Sequence, residues 1–497
     1  MSPRIAFATL AVAATLGFGC AAPEPVVILL PAAPADLDPH RSSSVAAHEV
    51  ASHFYEPLVA LDRRMRPGPA LAVSWHSPDA LTWVFRLRRG VRFHDGGELS
   101  AADVIWSLER LRNDPTLDVR AHLAGVSEVS APAPDEVRLR TAWPLPLLAS
   151  RLHFVMIARR GADPAVLRRK PNGTGPFVAA RGWEPGGPLP LTRHEGYWGQ
   201  PPALRAATLR FTVPPAEIVE ELRGGRIALL RFSSAAVSAA ARASGRYEAV
   251  GNANIFLRHL GFGLGPPDHP LRDRRVREAI DLALDRAAVA AAVSSTAEPA
   301  SQLVPAAILG HDPERRVPGP DRARARALLA QAGHGAGLEL VLHRPNGYSR
   351  AAAAVSAQLA EVGVRVRVEP LPSPEFFARL RRGELRFWLV ATGATTGDAL
   401  ELLESGFHSR DPRLGLGLEN HGRLEDPELD RAIEAARGLF DSQARGEAMR
   451  PLLARVLELR AWIPLYHDDS LTFVDRAFRY RPRADDYFRA TDLEPAG

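Results

Sequence analysis

The chain of 497 residues contains one lysine, Lys170, and one cysteine, Cys20. With a single lysine, a Gly-x-x-x-x-Gly-Lys phosphate loop does not occur. With a single cysteine there is no internal disulfide, so the cores must hold the fold without crosslinks. Excess charge is scarce too: 62 basic against 57 acidic residues leave +5. That is no electrostatic footprint for nucleic acid, and no basic stripe with interleaved aromatics is found. All basic residues but one are arginine, which never deprotonates. The short runs Arg88-Arg89, Arg168-Arg169-Lys170, Arg274-Arg275 and Arg381-Arg382 read as solvated faces. Beyond the first twenty residues, no stretch is apolar for long enough to cross ~30 Å of hydrocarbon. What is abundant is apolar surface. At 46% hydrophobic and 24% charged the chain is globular, with about three structural units at roughly 150 residues each.

Catalytic signatures fail one by one. His48-Glu49-Val50-Ala51-Ser52-His53 approaches a zinc-protease motif, but its second histidine is at i+5 where i+4 is needed. At 100° per residue the two rings diverge by ~140°, so the pair reads as a helix surface near a pocket. No Gly-x-Ser-x-Gly elbow is present. The glycine runs at 261–265 and 333–337 lack the strand, tight turn and helix of a dinucleotide site. Asp468-Asp469 and Asp485-Asp486 are adjacent in sequence, with nothing tying them to a cleft. Nothing supports catalysis, a metal or a cofactor.

Residues 1–20 read as a secretory signal peptide. Arg4 supplies a positive start, and Ile5 to Gly19 carries no charge. Cys20 follows Leu16-Gly17-Phe18-Gly19, which resembles a bacterial lipoprotein processing site, although the leucine stands four residues before the cysteine where the usual pattern has three. The resemblance implies a lipid anchor on Cys20; simple cleavage nearby is the alternative. Ala21 to Pro25 then serves as a tether.

Further on, Val26 to Leu30 is β-branched and apolar, a buried strand ended by Pro31. Ala46 to Leu61 has helical spacing, with Pro57 at its end or at a bend. Trp83 to Arg88 alternates as a half-buried strand, and Ser100 heads a helix. Val276 to Val293 reads as one helical stretch and Asp321 to Ala332 as another. Strands at 338–342, 364–368 and 387–390 alternate with helices at 351–362 and 375–380, the α/β signature. Helices at 427–440 and 445–459 precede a strand opening at Trp462-Ile463-Pro464-Leu465-Tyr466.

Several phrases in chain order resemble the extracytoplasmic solute receptors of ATP-binding-cassette importers, in their dipeptide and oligopeptide-type class, family 5. They are Trp83 to Gly96 with Ser100 to Leu108, Gly173-Thr174-Gly175-Pro176-Phe177, Tyr197-Trp198, and Val276 to Ile280 with Asp285-Arg286. Ala327 to Gly333, Pro427-Glu428-Leu429-Asp430 and Ile463-Pro464-Leu465-Tyr466 complete the set. The resemblance implies an α/β, two-lobed periplasmic-binding-protein-like fold of type II, the large cluster with an extra subdomain, and a hinge between lobes. Lobe I is expected over 21–50, 165–255 and 468–497, the inserted subdomain over 51–164, and lobe II over 256–467. The implied function is capture of a peptide or peptide-like solute in the interlobe cleft, without chemistry, by a periplasmic monomer held to a membrane by lipid. Delivery would be to the permease subunits in the inner membrane.

The resemblance also points to ligand residues. Aligning Gly397-Asp398 with the family's loop puts Thr395 where a dipeptide receptor has its amine-pairing aspartate. Thr395 carries no charge, which keeps a sugar, opine or metal chelate open as the solute. An exported hydrolase on the same scaffold is the third reading, and it predicts turnover of bound peptide. Arg344 stands where the carboxylate-binding arginine is expected. Ser42, Ser43 and Tyr55 follow the first strand, and His343, Thr392 and Tyr466 flank the expected cleft. Asp398 is expected to order its loop or cap the next helix, with contact to the ligand as the alternative.

Overall fold

The computed structural model describes residues 25–231, 234–251, 253–265 and 268–497, so the export segment and Cys20 lie outside the described residues. The β-branched run Val26–Leu30 becomes the middle strand of a seven-stranded sheet. It pairs in parallel with Ala206–Phe211 on one side and Ile227–Leu230 on the other. Side chains alternate across a strand. Ile28 and Leu30 therefore face one core with Phe177, Leu209 and Leu229, while Leu29 faces another with Ile227, Leu230 and Phe473. Helices Pro215–Arg223 and Ala235–Ala243 cover the second face through Ile218, Leu222, Val237 and Ala241.

Two strands carry the chain between lobes. Tyr247–Val250 ends in the first sheet, and Ala253–Phe262 begins in the second; Trp462–Asp469 returns into Thr472–Asp475. The second sheet runs Glu298–Pro299, Trp462–Asp469, Ala253–Phe262, Phe387–Gly393, Leu338–Pro345, Val364–Leu371. One face packs on helices Arg274–Ala283, Arg286–Val293, Arg322–Gln331 and Ser349–Ala360, and the other on Leu403, Phe407, Met449 and Val456. A four-stranded antiparallel sheet, Ala72–Asp79, Thr82–Leu87, Glu136–Thr141 and Val126–Ala133, forms the inserted subdomain. Its helix Ala101–Asn113 starts where Asp103 Oδ2 accepts from both N and Oγ of Ser100, at 2.9 and 2.6 Å. The fold is two-lobed α/β.

Two expected helices are cut short. The helix from Val45 ends at Ala51, and Glu56–Pro57 and Val59–Leu61 are strands. Pro57 keeps Glu56 out of the helical region, and Glu56 is fixed there by Tyr197 Oη, Trp198 Nε1 and Thr174 Oγ1, each donating at 2.8 Å. The stretch 276–293 is two helices, because Leu284 is extended and Asp285 caps the second one by accepting from Ala288 N at 3.0 Å. His48 and His53 are buried, not on a helix surface. The first packs on Phe154 and Tyr487; the second lies past the helix end with both ring nitrogens bonded to backbone. Among the described residues no group of three or more His, Cys, Asp or Glu could hold a metal, and no helix is long and apolar enough to cross a membrane.

Candidate functional site between the lobes

After strand Phe387–Gly393 the chain makes a tight loop, Ala394 to Ala399, before the short helix Leu400–Leu402. Gly397 has φ of 80°, a conformation open to glycine at no steric cost. A side chain there would also meet the Met65 carbonyl, since a Cβ would lie 2.1 Å from that oxygen. Asp398 fixes the loop from inside. One carboxylate oxygen accepts from Leu400 N at 2.9 Å, the other from Arg445 Nε at 2.9 Å.

Glu401 closes the loop from the other side, accepting from Thr395 Oγ1, Thr396 N and Thr396 Oγ1, each at 2.8 Å. Burial nevertheless holds its carboxyl above the ordinary range, outweighing those three donors.

This loop is one wall of a 230 Å³ cavity whose opposite wall, with His122, Trp143 and Arg151, belongs to the inserted subdomain. Glu404, Glu419 and Arg437 line it from the second lobe. Arg151 NH2 reaches Glu404 Oε2 at 3.0 Å across the interlobe gap, and Arg437 Nε approaches Glu404 Oε1 at 3.1 Å. The Arg437 guanidinium lies over the Trp143 ring, 5.7 Å from its centroid. Burial raises the Glu404 carboxyl, and the two arginines pull it back. Glu419 is different. Its side chain is exposed on the lining, partial desolvation nevertheless holds its carboxyl above the usual range, and among the described residues no cation pairs with it. A carboxylate without a cation, two arginines and an aromatic ring can bind a small zwitterion.

The structure places the sequence-derived residues unevenly. Thr395 and Asp398 shape the cavity loop, Thr395 through Glu401 and Asp398 through Arg445. Ser42 and Ser43 lie before the first helix, where Ser42 Oγ donates to Ser44 Oγ at 3.1 Å. Thr392 Oγ1 meets His259 Nε2 at 3.1 Å, and that ring stacks on Trp462. Tyr466 packs within the core of the second sheet. His343 and Arg344 end strand Leu338–Pro345: His343 Nε2 is 3.7 Å from Glu369, and Arg344 NH1 donates to Pro345 O while its Nε is buried without a partner. Tyr55 lines a different cavity, within the first lobe and subdomain. Sequence reasoning missed Arg151, Glu401, Glu404, Glu419 and Arg437. Only Glu401 carried a local signal, three residues past Asp398.

Comparison with known proteins agrees with this architecture. A model described as bacterial extracellular solute-binding proteins, family 5, middle region, matches residues 66–412. The chain is 28% identical to di/tripeptide-binding protein 2 of Pseudomonas aeruginosa, with 90% of each chain covered. It is 26% identical to the glutathione-binding protein GsiB of Salmonella choleraesuis, again with 90% of each covered. The structure of HbpA2 from Haemophilus parasuis superposes with a TM-score of 0.83 at 20% identity, over 95% of this chain and all of that one.

Proposed function

The chain belongs to the bacterial extracellular solute-binding proteins of family 5, and from that premise we propose that it is the periplasmic receptor of an ABC importer for di- or tripeptide-sized solutes. The observation that carries this is the interlobe cavity, with Glu419 exposed on its lining and unpaired among the described residues, and Arg151 and Arg437 on its walls. A peptide brings one cation and one anion, and such a site meets both. Its 230 Å³ falls below the roughly 300–1,000 Å³ of drug-sized sites, which favours a small solute. The relatives named for di- and tripeptides and for glutathione support the same class. Arg344 is the second candidate for the solute carboxylate, since its buried Nε has no acceptor.

The solute leaves unchanged, passed to the permease by the closed form. We further propose export through residues 1–20, lipid on Cys20, and a monomeric receptor. Replacing Cys20 with serine should abolish incorporation of labelled palmitate, and retained labelling would remove the anchor. A second reading, a receptor for a non-peptide solute, rests on Thr395, which brings no charge of its own to the amine position.

Calorimetry on the mature chain separates these readings. A di- or tripeptide should bind, its N-acetylated form at least roughly tenfold more weakly, and mass spectrometry should recover it intact. Binding of a sugar or chelate in place of every peptide would overturn the peptide reading, and cleavage of the peptide would overturn the receptor reading.

A further inference from the structure

A second cavity, of 190 Å³, lies between the first lobe and the subdomain, with none of its walls from the second lobe. Arg489 and Tyr55 both line it. The Nε of Arg489 is buried without a hydrogen-bond partner, and the buried Tyr55 hydroxyl, which meets the Asn172 backbone, has no acceptor for its own proton. A buried donor left unsatisfied costs stability, and a buried guanidinium more so. Burial pulls the Arg489 guanidinium down to about 10, with Arg483 adding repulsion and Asp485, Asp492 and Tyr197 offsetting part of it.

Most nearby acceptors are committed. Asp485 is held by Arg483 through Nε and NH2, at 3.0 and 2.7 Å, and Asp492 Oδ1 by Arg63 NH2 at 2.6 Å; Asp492 Oδ2 is buried without a partner but does not line the cavity. Glu56, on the cavity wall, accepts from Tyr197, Trp198 and Thr174. His53 already accepts from Ala490 N through Nε2 at 3.0 Å. The cavity therefore presents donors that lack an acceptor.

We propose that this cavity binds a small oxyanion or carboxylate, with Arg489 as its anchor and the Tyr55 hydroxyl as a second donor. At about 30 Å³ per water, 190 Å³ accommodates one such ion with a few waters. The planar guanidinium fork suits either a tetrahedral oxyanion or a carboxylate. The site is separate from the interlobe cavity, so its anion can stabilise the first lobe whether or not solute is bound.

The test uses the mature chain and sodium selenate, with sodium chloride at equal ionic strength as the reference. Thermal unfolding should shift upward and saturate with selenate, as mass action requires of a ligand held by the folded state. Arg489→Gln should abolish the saturable shift, Tyr55→Phe should weaken apparent affinity several-fold, and the exposed Arg223→Gln should leave it unchanged. Arg489→Gln removes an unpaired buried charge, so it should fold. A selenium anomalous peak beside Arg489 in wild-type crystals gives an independent reading. Competition by a dipeptide but not by its C-terminal amide would place a solute carboxylate in the site; indifference to both would make it a free-anion site. Either supports the proposal. An equal shift in Arg489→Gln, or no selenium peak beside Arg489, overturns it.

Discussion

Asp398 Oδ2 and Arg445 Nε meet at 2.9 Å in the second lobe, with side chains only 5% and 7% exposed. Arg445 also donates from NH1 to Leu439 O at 2.7 Å, so one guanidinium joins the helix Ser442–Leu459, the turn before it and the cavity loop. Removing one member of such a buried pair strands the other. Asp398→Ala is expected to cost about 3–5 kcal/mol of unfolding free energy, read by urea denaturation. A loss below about 1 kcal/mol would mean that water replaces the carboxylate.

Gly397 governs the same loop by shape. An alanine there would have to hold φ near 80° and would drive its Cβ into the Met65 carbonyl. Gly397→Ala should therefore displace Thr395 and Thr396 from Glu401, destabilising the fold by about 1–3 kcal/mol and weakening solute binding. Unchanged calorimetric affinity would show that the loop does not shape the site.

Buried histidines set the acid limit, His53 and His40 among them. His53 donates from Nδ1 to Glu49 O at 3.0 Å and accepts from Ala490 N, while His40 donates from Nε2 to Met156 O at 2.8 Å and accepts from Arg110 NH1 at 2.9 Å. A second proton on either ring would face an existing donor, and burial depresses each to about 4 from the ordinary 6.5. The unfolded chain then takes up protons first as pH falls. Stability from each is complete above about 6.5 and lost progressively down to about 4, up to about 3 kcal/mol apiece. His53→Gln should make that acid limb shallower by one histidine's share in urea midpoints taken from pH 7 to 4. An unaltered slope would assign acid loss elsewhere.

How much the sequence reveals depends on the range of the contact. Val26–Leu30 is legible as a buried strand because β-branching and alternation are local, and the glycine and aspartate of the cavity loop carry their turn chemistry with them. The break at Leu284 is not legible in the alanine-rich run from Val276, since helical propensity there is uniform; only Asp285 marks the new cap. Glu56 looks helical until its partners Tyr197 and Trp198, over 140 positions away, hold it extended. The cavity is the extreme case. Arg151 and Glu404 are separated by 253 positions, and neither has neighbours that announce a site. Arg344 and Tyr466 follow from position in the family pattern alone, and position does not say which way a side chain turns: Tyr466 turns into the core.

The contact between Arg151 and Glu404 makes a claim about closure. Arg151 belongs to the helix Leu148–Arg151 of the subdomain, and Glu404 to the turn after the cavity loop, so their 3.0 Å contact exists only when the lobes are together. Arg151 is 20% exposed and Glu404 5%, which leaves the pair less screened than a surface bridge. Glu404 keeps Arg437 when Arg151 is removed, so Arg151→Met should fold while losing a bond specific to the closed form. Hydrogen bonds to charged groups contribute about 1.5–3 kcal/mol, and solute affinity should fall by roughly ten- to a hundredfold. Small-angle scattering with solute present should show a larger radius of gyration than wild type at the same concentration. If affinity falls and the scattering does not change, Arg151 touches the solute instead of holding the lobes. If neither changes, closure rests on the Leu61, Met65 and Leu147 contacts with the second-lobe core, and the ion pair is incidental.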